Sequence, residues 1–336
     1  IWNGMSGTEV SRIAWSNRMP QIYNWNSRNQ IGVAYLDGCR PFLIVARGTY
    51  WFMRAEAFQY DENNLERLWL WENTQESGFN YVGQGAHFMH SADVDSDGCD
   101  EVILGSCVIN NGGVGLWSTG LQHADHCYVG DIDPLHPGLE IYYGIEGIID
   151  LLPEYKNAIC LVDAASGSIL WGLQETTYHI HNQGLVSDID PTHYGMECYS
   201  GEADYPKRWL HAANGDLIAT KTIDISLTPR AVYWDADPQR ELLYEGRIYD
   251  YETGFTHFQG IDGYQVAWAD ILGDWREEII VSVAGELRIY TTTIPAIDRR
   301  PCLMQDPIYR NDVAHISMGY SQPPTTSYCL DTDYDR

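Results

Sequence analysis

The chain has few basic residues: 20 lysines and arginines stand against 47 aspartates and glutamates, giving a formal net charge of -27. Nucleic acids and anionic membranes are poor partners for such a sequence, because a polyanion gains nothing from a surface of its own sign. The sequence also lacks an apolar run of about 18 residues, the length that a membrane-spanning helix needs. These shortages argue against a nucleic-acid-binding or membrane-spanning protein.

The eight cysteines contain no Cys-x-x-Cys pair, which argues against a zinc ribbon or a thioredoxin-type site. An even cysteine count favours a secreted or extracellular protein, and buried free thiols in strands are the alternative interpretation. The sequence begins with Ile1 rather than Met. We therefore expect that an upstream region, either a signal peptide or a larger portion, has been removed.

Aromatic and turn-forming residues are abundant, with 12 Trp, 23 Tyr and 31 Gly. This composition suits short strands and tight turns better than a helical bundle. With 336 residues, an all-β chain can bury a substantial core and still form one domain.

An acidic turn followed by a short apolar run recurs six times along the chain. In the sharpest copy Asp93, Asp95 and Asp97 alternate with other residues, Gly98 follows, and Asp100 and Glu101 precede an apolar run. The alternating carboxylates place several oxygens on one side of a turn, and glycine permits the backbone reversal that lets them converge on a hard cation. The spacing and the strand that follows differ from those of an EF-hand. We predict that calcium binds through Asp93, Asp95, Asp97 and either Asp100 or Glu101, with Glu101 the preferred fourth ligand.

The other copies of the turn are weaker but follow the same pattern. Their predicted calcium ligands are Asp131, Asp133 and Glu140; Asp188, Asp190 and Glu197; Asp235, Asp237 and Glu241; and Asp270, Asp274 and Glu277, while the sixth copy is Asp37 with Gly38. For any single copy, the alternative is a capped β-turn without metal. The copies recur at a mean spacing of about 47 residues, which is the range of propeller blades made of four short strands. We therefore predict an all-β chain, a β-propeller of four-stranded blades with calcium-binding turns.

Short motifs along the chain also carry a family resemblance. They lie at residues 33–41, 46–48, 83–87, 115–121, 129–134, 137–140, 234–243, 273–278, 288–293, 306–310 and 322–324, and include Gly-Asp-Trp-Arg-Glu-Glu at 273–278. Together, and in this order, they resemble the propeller of the rhamnogalacturonan lyases of polysaccharide lyase family eleven. The resemblance covers the chain from about residue 30 to its end.

The resemblance implies an eight-bladed, calcium-bearing propeller that cleaves the rhamnose-galacturonate backbone of pectin by β-elimination, usually preceded by a small β-sandwich. The match starts part-way through the family pattern. On this basis residues 1–336 form a β-propeller domain of about six to seven blades that lacks upstream blades and an N-terminal β-sandwich. The other interpretation is a shortened relative that closes its ring with fewer blades. The implied partner is an acidic plant or algal polysaccharide, together with a possible missing N-terminal portion or partner chain.

Elimination across a uronic acid needs a base for the proton beside the carboxylate, a cation or donors for that carboxylate, and an acid for the leaving oxygen. Calcium suits the second task because its charge needs no proton. By the resemblance, His123 and Asp125 match a family Gly-His-Gly-Asp segment, and His87 and Glu146 also match family positions. These four are the predicted catalytic residues.

Two positions depart from the family pattern. An expected arginine appears as Gln183, and an expected lysine appears as Asp262. Neither an amide nor a carboxylate supplies the positive charge that a developing enolate needs. His179, His181 and Arg247 are possible substitutes, and with Gln183 and Asp262 they form the predicted substrate-binding set. A histidine can act as base or donor near neutral pH.

These departures leave two interpretations of function. The first is an extracellular, calcium-bound, polysaccharide lyase-like propeller that acts by β-elimination on rhamnogalacturonan or another uronate-containing polysaccharide. Because of the two departures, we predict little or no activity on standard rhamnogalacturonan. The alternative is a non-catalytic carbohydrate-binding or scaffold propeller. The aromatic segment from Tyr50 to Phe52 could stack on sugar rings, although tryptophans in propellers more often pack between blades.

Overall fold

A computed structural model of the chain describes residues 1–16, 28–74, 80–146, 156–203, 206–220, 227–316 and 318–331. These residues form six antiparallel sheets, of which five have four strands and the sixth has three. In every sheet the strands follow one another in chain order. The prediction of an all-β chain of four-stranded sheets is confirmed. A propeller ring, its blade number and a single domain over residues 1–336 remain predictions.

The strand bounds show one sheet per acidic turn. The first sheet contains β1 (Asn29–Ala34), β2 (Phe42–Arg47), β3 (Arg54–Asp61) and β4 (Asn64–Glu72), and the second contains β5 (His90–Ala92), β6 (Glu101–Ile103), β7 (Cys107–Ile109) and β8 (Gly115–Ser118). The third contains β9 (Ala124–Gly130), β10 (Glu140–Ile145), β11 (Ile159–Asp163) and β12 (Ile169–Gly172). The fourth contains β13 (Leu185–Ser187), β14 (Glu197–Gly201), β15 (Arg208–His211) and β16 (Leu217–Ala219). The fifth contains β17 (Ala231–Val232), β18 (Glu241–Tyr244), β19 (Arg247–Tyr249) and β20 (Thr256–Gln259), and the sixth contains β21 (Tyr264–Ala269), β22 (Glu278–Val283) and β23 (Glu286–Tyr290).

Burial decreases across the third sheet from its first strand to its last. Every residue of β9 and β10 is buried, whereas β12 is exposed or half-buried. Strands that are covered on both faces need apolar side chains on both sides, which explains near-continuous runs such as residues 141–145. The largest core cluster is built mainly from the second, third and fourth sheets.

A repeated backbone contact joins neighbouring sheets. The residue just before the second strand of a sheet donates its amide to a carbonyl near the acidic turn of the preceding sheet. The four examples are Asp100 N to Tyr35 O (3.0 Å), Met196 N to Ile132 O (2.9 Å), Arg240 N to Asp188 O (2.7 Å) and Glu277 N to Tyr233 O (2.9 Å). The sequence repeat therefore corresponds to a repeated contact between sheets.

The C-terminal segment fills the space beside the first strands of several sheets. It contains a short 3-10 turn (Leu303–Gln305) and the helix α1 (Pro307–His315), whose first turn is capped by Asp306 accepting from Tyr309 N at 2.9 Å. The helix contacts β1, β5 and β21. In α1, Asp312 pairs with His90 Nδ1 at 2.6 Å. The described helices include none that is long and apolar enough to cross a membrane.

The C-terminal segment then passes close to His87, which lies shortly before β5. A Cβ atom at Gly319 would lie 1.8 Å from His87 O, so only glycine fits there. Beyond it, Gln322 Nε2 donates to Cys127 O in β9 at 2.8 Å. This path brings Tyr320 beside the candidate site.

Candidate active site

The candidate site lies at one edge of the second, third and fourth sheets, where edge means the side at which strands begin or end and not an outer strand. His87 lies shortly before β5, Asp125 is the second residue of β9, Glu146 directly follows β10, and His181 lies shortly before β13. The start of a first strand and the end of its antiparallel neighbour lie at the same sheet edge. The acidic turns join the opposite ends of these strands, so the site and the turns lie at opposite edges.

Asp125 is the centre of the site and is fully buried. Its Oδ2 lies 2.7 Å from His181 Nδ1, and its Oδ1 lies 3.3 Å from His87 Nε2 and 3.7 Å from His123 Nε2. The amide of Asn182 also donates to Oδ2. Burial by itself would raise the pKa of Asp125, but the three surrounding histidines lower this pKa below its ordinary value. The Asp125 carboxyl is therefore an anion that can hold histidines in place.

Glu146 is a second carboxylate at the same edge. Tyr50 donates to its Oε2 at 3.1 Å, and His179 Nε2 lies 3.1 Å from its Oε1. Burial opposes ionisation of Glu146, but the hydrogen bond from His179 and the charge of His123 lower its pKa overall. The Glu146 carboxylate thus connects Tyr50 to His179.

His123 stands between the two carboxylates. Its Nδ1 lies 2.6 Å from Gly85 O, and because a carbonyl only accepts, Nδ1 carries the proton of this hydrogen bond. Its Nε2 faces Asp125 Oδ1 and, at 3.5 Å, Glu146 Oε2. The imidazole stacks on Tyr50, with ring centroids 3.7 Å apart. The backbone and Tyr50 together fix the orientation of this ring.

His87 has partners on both ring nitrogens. Arg28 Nη1 lies 2.5 Å from His87 Nδ1, and Tyr50 Oη lies 3.3 Å from Nε2. The Tyr320 ring packs against His87 at 4.6 Å between centroids. Burial lowers the pKa of His87, which favours the neutral ring. Arg28 and Tyr320 were missed by the sequence analysis, because neither belongs to a motif that was assigned a role.

Exposure separates the groups that can reach a substrate from those beneath them. The exposed fractions are 0% for Asp125, 1% for His123 and 2% for His87. The side chains of His179, His181 and Glu146 are exposed by 24%, 35% and 26%. The structure therefore brings six predicted residues into one cluster, with three of them buried below the other three.

The remaining predicted substrate-binding residues have different neighbours. In the orientation that satisfies both amide atoms, Gln183 donates to Ser321 O at 3.1 Å and accepts from Ser321 N at 3.2 Å. The guanidinium of Arg247 lies 4.0 Å above the ring of Tyr249. Asp262 is exposed and pairs with Arg288 at 3.2 Å. Within the described residues, Gln183 thus flanks the site through the segment that carries Tyr320, whereas Arg247 and Asp262 contact other groups.

At the opposite edge, a glutamate begins the second strand of each of five sheets. Each accepts backbone amides of its own turn: Glu101 from Val94, Glu140 from Ile132 and Asp133, Glu197 from Ile189 and Asp190, Glu241 from Trp234 and Asp235, and Glu278 from Ile271 and Leu272. The sequence analysis assigned this position to Glu277, and the structure corrects it to Glu278. Glu277 precedes β22 and instead pairs with the buried Arg240 at 2.9 Å.

Three groups of side chains could hold a metal ion, as judged from the described residues. They are Asp93, Asp95 and Glu101; Asp235, Glu241, Asp250 and His257; and His87, His123 and Asp125, each with ligand atoms within 4.8 Å of one another. The first is part of the strongest predicted calcium loop. Asp97 in the same loop caps Cys99 N at 2.8 Å. The third group belongs to the candidate active site.

Several turn carboxyls resist ionisation in the absence of a cation. Burial raises the pKa of Glu101 to about 8, that of Asp188 to about 8 and that of Glu197 to about 9. Asp188 Oδ1 and Glu197 Oε1 are buried without a hydrogen bond. A cation bound there would satisfy these oxygens and favour the charged carboxylates. In the Asp131 turn of the third sheet, the corresponding glutamate has a side-chain partner, because His136 Nδ1 lies 2.8 Å from Glu140 Oε1.

Comparison with known proteins identifies relatives along the whole chain. The family model for the C-terminal domain of rhamnogalacturonan lyase family 11 matches residues 1–336. The rhamnogalacturonan endolyase YesW of Bacillus subtilis (strain 168) is 35% identical, covering 98% of this chain and 54% of its own length. The rhamnogalacturonan exolyase YesX of the same organism is 34% identical, covering 99% of this chain and 58% of its own length.

Solved structures agree with these similarities. The crystal structure of YesW has a TM-score of 0.85 and covers 98% of this chain and 57% of that chain. The structure of the exotype lyase YesX has a TM-score of 0.86 and covers 98% and 58%. The chain therefore spans little more than half the length of these relatives.

Proposed function

We propose, because the chain belongs to rhamnogalacturonan lyase family 11, that it acts as a polysaccharide lyase on rhamnogalacturonan or another uronate-containing polysaccharide. Its six sheets are then blades of a propeller, and the clustered histidines and carboxylates form the cleft. The polymer is of plant or algal origin, so the proposed location is secreted or extracellular. The observation that carries the proposal is the pair Asp125 and His181, joined at 2.7 Å with the histidine partly exposed.

In the proposed reaction His181 is the base. Its Nδ1 is held by Asp125, which leaves Nε2 to take the proton beside the uronate carboxylate. The contact of its Nδ1 with the Asp125 carboxylate raises the pKa of His181 above its ordinary value, which makes the ring a stronger base. His87 and His123 are positioning residues, because their burial keeps them from touching a polymer.

The leaving oxygen is proposed to receive the proton that His181 Nε2 has taken, while Tyr50 is a positioning residue that keeps its own proton in the hydrogen bond to Glu146. Burial and the nearby Glu146 and Asp125 carboxylates raise the pKa of Tyr50 far above the ordinary value, so the phenol keeps its proton at neutral pH. Glu146 accepts from Tyr50 and contacts His179. This carboxylate therefore orients two groups that stand at the surface of the site.

Calcium is the proposed cofactor, and the acidic turns fit it. Their donors are carboxylate oxygens, the ligands that calcium prefers, and the unsatisfied oxygens of Asp188 and Glu197 support a cation in the fourth turn. The residues that would hold it in the second turn are Asp93, Asp95 and Glu101. When bound, calcium supplies positive charge that offsets the burial of these carboxylates.

The test compares Asp125→Asn and His181→Ala with a control, Asp216→Asn, in an exposed turn before β16. Ultraviolet absorbance of unsaturated uronate products is followed on rhamnogalacturonan and on other uronate polymers, with calcium present. We expect both site variants to lose about 100- to 10,000-fold in rate, the usual size of acid-base catalysis, while the control retains it. Wild-type binding of the polymers without any unsaturated product would instead support the non-catalytic, carbohydrate-binding interpretation.

A further inference from the structure

The carboxyl groups of the candidate site disfavour the binding of an acidic substrate. The carboxyl groups of Asp125 and Glu146 both belong to this cluster, so a uronate brings a third carboxyl group to it. A third carboxylate close to these two is repelled unless a cation stands nearby. At the position of the arginine that the family pattern leads one to expect, this chain has the neutral Gln183. A cation from another part of the fold would reduce this repulsion.

Arg28 is placed to provide this charge. Its Nη1 is 2.5 Å from His87 Nδ1, and its Cζ lies 5.8 Å from the centroid of the Tyr320 ring, a distance at which cation-π attraction operates. Through His87 it adjoins both Asp125 and Tyr50. The guanidinium therefore borders the cluster from the side of the first sheet.

The contact with His87 leaves donors available. A guanidinium carries five N–H groups and accepts nothing, so the interaction with His87 uses one donor and requires a lone pair on His87 Nδ1. The planar fork of arginine matches a carboxylate in a bidentate geometry. With one corner held by His87 and one face against Tyr320, the plane is oriented before a ligand binds, which lowers the entropy cost of binding.

We propose that Arg28 binds the uronate carboxylate of the substrate. The proposal rests on the lyase-type function proposed above and assigns the recognition of its acidic sugar to a residue outside the sequence motifs. Arg28 lies immediately before β1, on the side of the site that the first sheet forms. This placement explains how the cleft handles a uronate without an arginine at position 183.

Calorimetric titration with an acidic rhamnogalacturonan oligosaccharide and with its carboxyl-reduced, neutral counterpart tests the proposal. The variants are Arg28→Met and Arg28→Lys, and the control is Arg40→Met, which removes the same charge from the first sheet's acidic turn at the opposite edge. We expect Arg28→Met to weaken binding of the acidic ligand about 10- to 100-fold, the loss of one or two hydrogen bonds to a charged group, and to leave binding of the neutral ligand within about twofold. Arg28→Lys should show an intermediate loss, because lysine keeps the charge but not the fork.

Equal weakening for the acidic and neutral ligands would overturn the proposal and give Arg28 a structural role. Unchanged binding of the acidic ligand by Arg28→Met would also overturn it, while wild-type formation of unsaturated product would leave the lyase function standing. Failure of the wild-type protein to bind either ligand or to form product would overturn both. A shared melting temperature for Arg28→Lys and the wild type shows that the comparison is made on folded protein.

Discussion

The Asp93 turn of the second sheet keeps Asp95 and Asp97 at the surface, whereas the Asp270 carboxylate of the sixth sheet is fully buried. In the Asp93 turn, carboxylate oxygens of Asp93, Asp95 and Glu101 lie within 4.8 Å of one another. The amides of Asp97 and Gly98 donate to the Asp93 carboxylate, and a cation or protons would relieve the remaining repulsion among the three groups. This turn is therefore the one for which we predict an ion from outside the chain.

The Asp270 turn is completed by the chain itself. The Asp270 carboxylate accepts the amides of Gly273, Asp274, Trp275 and Leu303 at 2.7 to 3.1 Å. Asp274, the next predicted ligand, pairs with Arg276 at 2.5 Å. Four amides satisfy a carboxylate as fully as a metal would. Similar sequences thus produce a candidate metal loop in one sheet and a hydrogen-bonded turn in another.

Replacing Asp270 should give the largest effect on stability. Asp270→Ala leaves four amides without their acceptor, and each unsatisfied buried group costs about 1 to 3 kcal/mol. We expect a loss of at least about 4 kcal/mol in the free energy of unfolding, measured by urea denaturation. The loss should be the same with calcium or with a chelator. A loss that appears only with calcium would show that this turn also holds an ion.

Replacing Asp93 should have a smaller effect that depends on calcium. At a hundredfold excess of calcium over its Kd, binding to the native state alone adds about 2.7 kcal/mol of stability. Asp93→Ala should lose this gain, so calcium should stabilise the variant less than it stabilises the wild type. If chelation does not change wild-type stability, the acidic turns work without a metal.

Per pH unit, the pH dependence should give the smallest effect, and it sharpens the comparison further. The pKa of Glu101 is about 8 in the folded protein because of burial, above the ordinary value of an unfolded glutamate. The folded state thus binds more protons between about pH 5 and 8, and without calcium its stability falls as pH rises through this window. One such group contributes at most about 1.4 kcal/mol per pH unit.

Glu101→Gln is the matched variant for this pH prediction. It removes the titrating group but keeps an oxygen that can accept from Val94 N. In chelator, its plot of unfolding free energy against pH should be flatter than that of the wild type. Saturating calcium should flatten the wild-type plot in the same way, and a steeper plot with calcium would contradict the assignment.

Local sequence determined much of the molecule. The spacing of acidic turns predicted four-stranded sheets, because each turn joins the first two strands of one repeat. The segments that resemble the family pattern singled out His87, His123, Asp125 and Glu146. In the structure these residues lie in one cluster with His179 and His181. These residues flank the ends of strands in neighbouring repeats, so placing the strands places them together.

Tertiary structure decided which partner each side chain meets. Asp270 is satisfied by Leu303 N, 33 residues along the chain, and Glu277 rather than Glu278 faces Arg240 across a sheet boundary. Arg28 and Tyr320 meet at His87 from opposite ends of the chain. Such contacts depend on how the sheets pack and where the C-terminal segment runs. The spacing of residues along the sequence does not predict either. A carboxylate's role, as metal ligand, turn cap or ion-pair partner, is set by the amides and cations that this packing brings within hydrogen-bonding distance.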